Sequence, residues 1–167
     1  MRMAIKPKIE TAFNNHMNKE FYSYYLYISL AAHFESANLK GFAHWLRIQA
    51  NEELGHAMKF YDHLLDRGGK VTLKPIESPQ SKWKSHEEAF QSAYEHERKV
   101  TEAINQLSDL AKSEKDHAAE VFLQWFVNEQ VEEELIANEI VQKIGLIGDE
   151  GSALLMLDAE LGKRSAE

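Results

Sequence analysis

The sequence predicts an all-α protein, a left-handed four-helix bundle with one long crossover and a short fifth helix at the C-terminus. Three observations carry that prediction. Proline occurs only at 7, 75 and 79, so two long stretches contain nothing that removes a helical amide hydrogen. Apolar residues recur at alternating steps of three and four, the period of one helix face and not of a strand. Glycines gather near 41, 55, 68–69, 145–151 and 162, and so divide the chain into long segments.

The first helix is expected over about 6–36, with Ile9, Phe13, His16, Glu20, Ser23, Tyr27, Leu30 and Phe34 in line. The second, 39–67, follows Asn38 as N-cap and stops at Gly68-Gly69. Its stripe is Phe42, Leu46, Gln49, Glu53, His56, Phe60 and His63. The third, 86–112, opens at Ser85-His86-Glu87-Glu88, a capping box in which serine and glutamate satisfy each other's backbone donors. It carries Phe90, Tyr94, Glu97, Thr101, Ile104 and Leu107. The fourth, 117–144, begins after Asp116 and ends at Gly145, with Phe122, Phe126, Glu129 or Gln130, Glu133, Ala137, Ile140 and Ile144 aligned. Leu154-Leu155-Met156-Leu157 marks a small fifth helix over 151–162.

The connections set the topology. Very short joints make helices 1 and 2, and likewise 3 and 4, antiparallel hairpins. The linker 68–85 holds two of the three prolines. Extended, its roughly 18 residues reach about 60 Å, whereas a helix of about 28 residues is only about 42 Å long. The linker can therefore run the whole length of the bundle and leave helices 2 and 3 parallel. A single domain over 1–167 is expected.

The absence of cysteine excludes iron–sulfur clusters, thiol catalysis and a disulfide framework. A net charge of -8, from 19 basic and 27 acidic side chains, argues against a nucleic-acid surface and suits a cationic partner such as a metal ion. No uncharged apolar run is long enough to span a bilayer, and Met1 to Pro7 forms no apolar leader. A soluble cytoplasmic protein without membrane partner is expected.

Every apolar stripe is interrupted by an acid near its helix midpoint: Glu20, Glu53, Glu97, and Glu133 beside Gln130. Midpoints lie at one level of a bundle whichever way each helix points. Buried carboxylates cost several kcal/mol unless something compensates them, and four at one level repel one another. A dication removes the conflict. Glu53 and His56 form Glu-x-x-His, whose i and i+3 positions share one helix face. Glu20 can add an oxygen from the neighbouring helix, and Glu97 with Glu133 can hold a second ion, with Glu53 bridging. Two ions bound by oxygens and one imidazole make a redox-competent site with positions open to dioxygen or water. Glu-x-x-His alone is a weak motif, usually a solvated helix surface; the shared level of the other acids gives it force.

On these residues, and over essentially its whole length, the chain resembles the bacterial non-haem ferritins of the ferritin-like di-iron family. The resemblance implies iron storage and detoxification: a ferroxidase oxidising Fe(II) to Fe(III) with dioxygen or peroxide, and ferric oxide-hydroxide mineral deposited inside a homo-oligomeric 24-subunit cage. It implies a first iron position at Glu20, Glu53 and His56, a second at Glu53, Glu97 and Glu133, and Gln130 beside them. A third iron would take Glu52, Glu129, Glu132 and Glu133. Tyr27 and Trp125 match aromatic residues near such centres, where they could donate hydrogen bonds or electrons, although Trp125 reads equally as core.

Asp116, His117 and Glu120 fall where the family has its three-fold pores, and Leu154–Leu161 where it lines four-fold channels. Acids at a helix start are also favoured by the helix dipole alone. No haem is implied, because Leu54 follows Glu53 and Gln130-Val131-Glu132-Glu133 lacks a second histidine. His16, His33, His44, His63, His86, His96 and His117 read as surface or core-edge residues, and Tyr22, Tyr24 and Tyr25 as packing or interface residues. Two other functions use the same pattern: a soluble di-iron or di-manganese carboxylate oxidase acting on an organic substrate, and a non-catalytic scaffold.

Overall fold

The structure is a computed structural model and describes residues 4–148 and 150–166. The expected absence of an apolar leader falls partly on Met1 to Met3, outside the described residues. Five helices make up the regular structure of the described residues: α1 (Pro7–Ser36), α2 (Lys40–Asp66), α3 (His86–Ser113), α4 (His117–Ile147) and α5 (Gly151–Leu161). Among the described residues there is no strand. The chain is thus an all-α four-helix bundle with a short C-terminal helix.

Three of the helix ends share one hydrogen-bonding scheme. At α1, the amides of Asn38 and Leu39 donate to the carbonyls of Glu35 and Phe34, 3.1 and 3.0 Å away. This is a Schellman closure, which needs a left-handed residue at its centre. Asn38 has φ +61°, so it closes α1 and does not cap α2 as expected; Leu39 stands at the α2 N-cap without a side-chain bond. Gly68, at φ +70°, closes α2 in the same way, and Lys115, at φ +53°, closes α3. The α3 start differs in one detail from a capping box. Ser85 Oγ accepts from the Glu88 amide at 3.0 Å, but the Glu88 carboxylate reaches back to the amide of Lys84, one residue before the cap. The expected end of α4 at Gly145 is also revised: the helix runs on to Ile147 and stops at Gly148, whose φ of +57° suits glycine.

The crossover lies along α1. Its first residues meet the beginning of that helix, where Thr72 N donates to Asn14 Oδ1 at 2.6 Å and Asn14 Nδ2 to Lys70 O at 2.8 Å. Further on, Ser29 Oγ donates to Gln80 O at 2.6 Å, and Trp83 packs edge-on against His33 near the other end. The chain therefore returns to the end of the bundle where α2 began before α3 starts, which makes α2 and α3 parallel.

Apolar packing forms two separate clusters. One joins Leu30, Phe34, Phe42, Leu46 and Phe90 to Ile140 and Ile144, with Phe34 and Phe42 stacked 4.8 Å apart. The other gathers Ile9, Phe13, Met17, Phe60 and Leu64 with Ile104, Leu123 and Phe126. Each fully buried side chain of this size contributes about 1.5–3 kcal/mol. Between the clusters lies a layer of buried polar residues: Glu20, Ser23, Gln49, Glu53, His56, Glu97, Gln130 and Glu133. The two apolar halves hold the helices in place on either side of a layer that alone would push them apart.

Helix α5 docks on the beginning of α2. Phe42 N donates to Asp158 Oδ1 at 2.9 Å, and the contact is so close that a Cβ on Gly41 would stand 1.7 Å from Asp158 O. Leu157 and Leu161 are buried there, while Leu155 and Met156 face outward.

Candidate metal centre

All four long helices supply the polar layer. From α1, Glu20 is buried, and His16, one turn earlier, donates from Nε2 to Glu20 Oε1 at 2.7 Å. The second oxygen, Glu20 Oε2, is buried without a hydrogen-bond partner, with His56 Nδ1 standing 3.9 Å away. From α2, His56 Nδ1 lies 3.3 Å from Glu53 Oε2. Gln49, one turn before Glu53, donates from Nε2 to Glu53 Oε1 at 2.9 Å and to Glu133 Oε2 at 2.8 Å. From α3 comes Glu97, whose Oε1 accepts from the Tyr27 hydroxyl at 2.5 Å. From α4, Gln130 Nε2 donates to Glu97 Oε2 at 3.2 Å and to the Glu97 carbonyl at 3.3 Å.

Among the described residues, ligating atoms converge in three groups, each with all its atoms within 4.8 Å of one another. The first is Glu20, Glu53 and His56; the second is Glu53, Glu97 and Glu133; the third is His56, Glu129 and Glu133. Glu53 belongs to the first two, so one carboxylate can serve two ions. The third group differs from the set Glu52, Glu129, Glu132 and Glu133. Glu52 is turned to Arg164, whose Nη2 is 2.6 Å from its Oε2, and Glu132 is exposed on the wall of the adjoining cleft. His56 takes part instead, its Nε2 3.9 Å from Glu129 Oε1.

Burial and mutual charge set the protonation of the layer. Burial pushes Glu97 well above the usual carboxyl range, and the charges of Glu53 and Glu133 push the same way. Burial and then the Glu53 charge raise Glu133 to about 8. Glu53 is raised by burial too. Burial alone would lower His56, but its contacts with Glu53, Glu20 and Glu133 carry it up to about 10. Burial also opposes ionisation of Glu20, yet the His16 and His56 imidazoles outweigh it and hold this carboxyl below its ordinary value. Tyr27 is pushed well above its ordinary value by burial and by the acids around it, so its hydroxyl stays a hydrogen-bond donor. Protons thus hold together a layer that is short of positive charge. The donor set of carboxylate oxygens and one imidazole, with Glu20 Oε2 unsatisfied, fits hard and borderline dications.

Several residues sit otherwise than expected. His16 is neither at the surface nor at the core edge; it is buried against Glu20 with its ring 4.9 Å from Phe60. Its position one turn before an interrupting acid was the available signal. His96 is mostly buried, bonded to Ser23 Oγ at 2.7 Å, and desolvation lowers it to about 4. Trp125 is not core: it is 41% exposed, edge-on to His56 at 5.4 Å, with the Lys59 ammonium 4.3 Å above its ring. Asp116 is occupied as the α4 N-cap, accepting from Ala119 N, and is gripped by both arms of Arg67 at 3.1 Å. His117 and Glu120 pair with each other at 3.4 Å on the surface. Beside the centre opens a cleft of about 340 Å³ lined chiefly by charged residues, among them Glu52, Lys59, Glu129, Glu132 and Arg164. No helix of the described residues is long and apolar enough to cross a membrane.

The chain is similar to known proteins along most of its length. Residues 10–147 match the model of the ferritin-like domain family. The chain is 40% identical over 160 residues to a bacterial non-haem ferritin of Bacteroides fragilis, covering 96% of this chain and 99% of that one. It is 37% identical to the bacterial non-haem ferritin of Escherichia coli, with 94% and 95% covered. Among solved structures, the open-pore ferritin of the hyperthermophilic archaeon Archaeoglobus fulgidus superimposes with a TM-score of 0.95 at 50% identity, over 97% of this chain and 100% of that chain. A form of the A. fulgidus ferritin engineered to be closed gives 0.97 at 49% identity, over 98% and 100%. The chain belongs to the ferritin-like family, alongside the bacterial non-haem ferritins.

Proposed function

We propose that the protein stores and detoxifies iron as a ferroxidase, with Fe(II) as its substrate, and that residues 1–167 form one ferritin-like domain. Glu20, Glu53 and His56 would bind one ferrous ion and Glu53, Glu97 and Glu133 the other, with Gln130 and Tyr27 orienting Glu97. A third ion would bind at Glu129 and Glu133, and Glu52 and Glu132, which line the same cleft, would join after a side-chain turn. Two ferrous ions give up two electrons. With two protons these reduce dioxygen to hydrogen peroxide, or peroxide to two waters. The ferric product would pass through the charged cleft into the hollow of a 24-subunit cage and accumulate as hydrated oxide. A cytoplasmic location rests on the family likeness alone.

The observation that carries this reading is Glu20 Oε2, a buried carboxylate oxygen with no hydrogen bond, facing His56 and Glu53. Such an atom costs about 1–3 kcal/mol unless a ligand meets it. The charged lining of the adjoining cleft suits a cation and gives no apolar pocket for the organic substrate of an oxidase.

Stopped-flow oxidation of Fe(II) tests the assignment. Glu53→Ala should lose the rapid phase while still eluting as an assembly of about 460 kDa, twenty-four chains of 19.2 kDa. Oxidation at the parental rate in that variant would refute the proposed centre.

A further inference from the structure

The last described turns of the chain reach the centre in a way that iron binding does not require. Arg164 lies three residues beyond α5. Its Nη2 donates to Glu52 Oε2 at 2.6 Å, its Nη1 to Gln49 Oε1 at 3.0 Å, and its guanidinium carbon stands 4.3 Å over the Trp45 ring. Its own carbonyl accepts from His44 Nε2 at 2.8 Å. The backbone is thus anchored on α2 while the charged head points inward. A planar guanidinium held on an aromatic face is preorganised, and loses little freedom on binding a carboxylate.

Two consequences follow. Gln49 can donate to both Glu53 and Glu133 only with its oxygen turned away from them, and Arg164 supplies the donor on which that oxygen rests. Meanwhile Glu52, whose charge is felt at Glu133, is already neutralised by a fixed cation. An ion arriving at Glu129 and Glu133 therefore finds the neighbouring carboxylate taken.

Building on the proposed ferroxidase, we propose that Arg164 stands in for a metal ion at the outer end of the acid layer and keeps the outermost ion weakly held. Iron there is in transit, because recruiting Glu52 means breaking a charge-assisted pair. Arg164 is a positioning residue: it touches Glu52 and Gln49 and acts on the metal through them.

The test is anaerobic calorimetric titration of the assembled, full-length protein with Zn(II), which binds the same ligands without oxidation, together with anomalous scattering from Zn(II)-soaked crystals. Arg164→Gln should bind the outermost Zn(II) about tenfold more tightly, the equivalent of one charge-assisted hydrogen bond removed from competition. Glu52 should then appear among its ligands. Arg164→Lys keeps the charge but not the planar fork that holds Glu52 and Gln49 together, so its outer affinity should fall between those of the parent and Arg164→Gln. Adding Glu52→Gln to Arg164→Gln should abolish the gain. Unchanged outer affinity in Arg164→Gln, or a gain that survives in the double variant, overturns the proposal while the two inner ions still report an intact pair. Absence of those inner ions from the parent protein would overturn the ferroxidase reading, and this inference with it.

Discussion

Filling the centre with two dications should expel about three protons per chain at pH 7. Without metal, His56 sits at about 10 and carries a proton that a ligating nitrogen must give up. Glu97, pushed well above the usual range, gives up another. Glu133, at about 8, is roughly nine-tenths protonated at pH 7 and supplies most of a third. Carboxylate oxygens of Glu53, Glu97 and Glu133 lie within 4.8 Å of one another, and their mutual repulsion adds to burial in raising Glu97 and Glu133. With four ionised carboxylates, one neutral imidazole and two dications, the loaded layer is electrically neutral. The assay is anaerobic Zn(II) binding in weakly buffered solution with a pH indicator, or calorimetry in two buffers of different ionisation enthalpy. By pH 9 the count should fall, because Glu133 has already lost its proton. Release of less than one proton at pH 7, or a count that grows with pH, would refute the electrostatic account of the layer.

Other consequences concern stability and the second metal position. A carboxyl raised in the folded state loses its proton more readily once unfolded, so Glu133 draws stability down between its ordinary 4.5 and about 8, by about 1.4 kcal/mol per pH unit. His56 adds stability that is complete below 6.5 and is lost as pH rises through about 10. Both act in one direction from pH 6.5 to 8, so the metal-free Tm should fall across that window and Glu133→Gln should flatten the fall; a rising Tm contradicts this. Gly41→Ala would normally favour a helix by about 1 kcal/mol, but here its Cβ collides with the carbonyl of Asp158. A net loss of about 1–3 kcal/mol is expected in thermal unfolding, and a gain would show that α5 does not dock there. Tyr27→Phe removes one donor from Glu97, so affinity at the second position should drop about tenfold with the first unchanged. Equal loss at both positions would contradict that division of roles.

The bundle and its polar layer were legible because both are periodic. Acids at helix midpoints share a level by geometry, and the two short joints and one long linker leave a single sensible threading. Other features depend on contacts that periodicity does not encode. Asn38 looks like an N-cap from its type alone, but its left-handed backbone makes it the closing residue of the preceding helix. Gln49 stood in the predicted stripe, yet nothing in its spacing shows that its amide would reach Glu133, 84 residues away, as well as Glu53. Arg164 was out of reach altogether, because it meets Glu52 over a separation of 112 residues through a helix whose docking depends on the shape of Gly41. Asp116 shows the opposite case, an acid with a plausible pore role that turns out to be engaged by its own helix and Arg67.

The placement of the crossover along α1 has a kinetic consequence. Glu20, Glu53 and His56 all belong to the α1–α2 hairpin, which is closed by a tight turn and is synthesised before the linker. Glu97 and Glu133 arrive only when a second, equally local hairpin swings in. Nascent chains should therefore acquire a mononuclear cation pocket early, and become binuclear only at the slower docking step, when the tether has been laid down its groove.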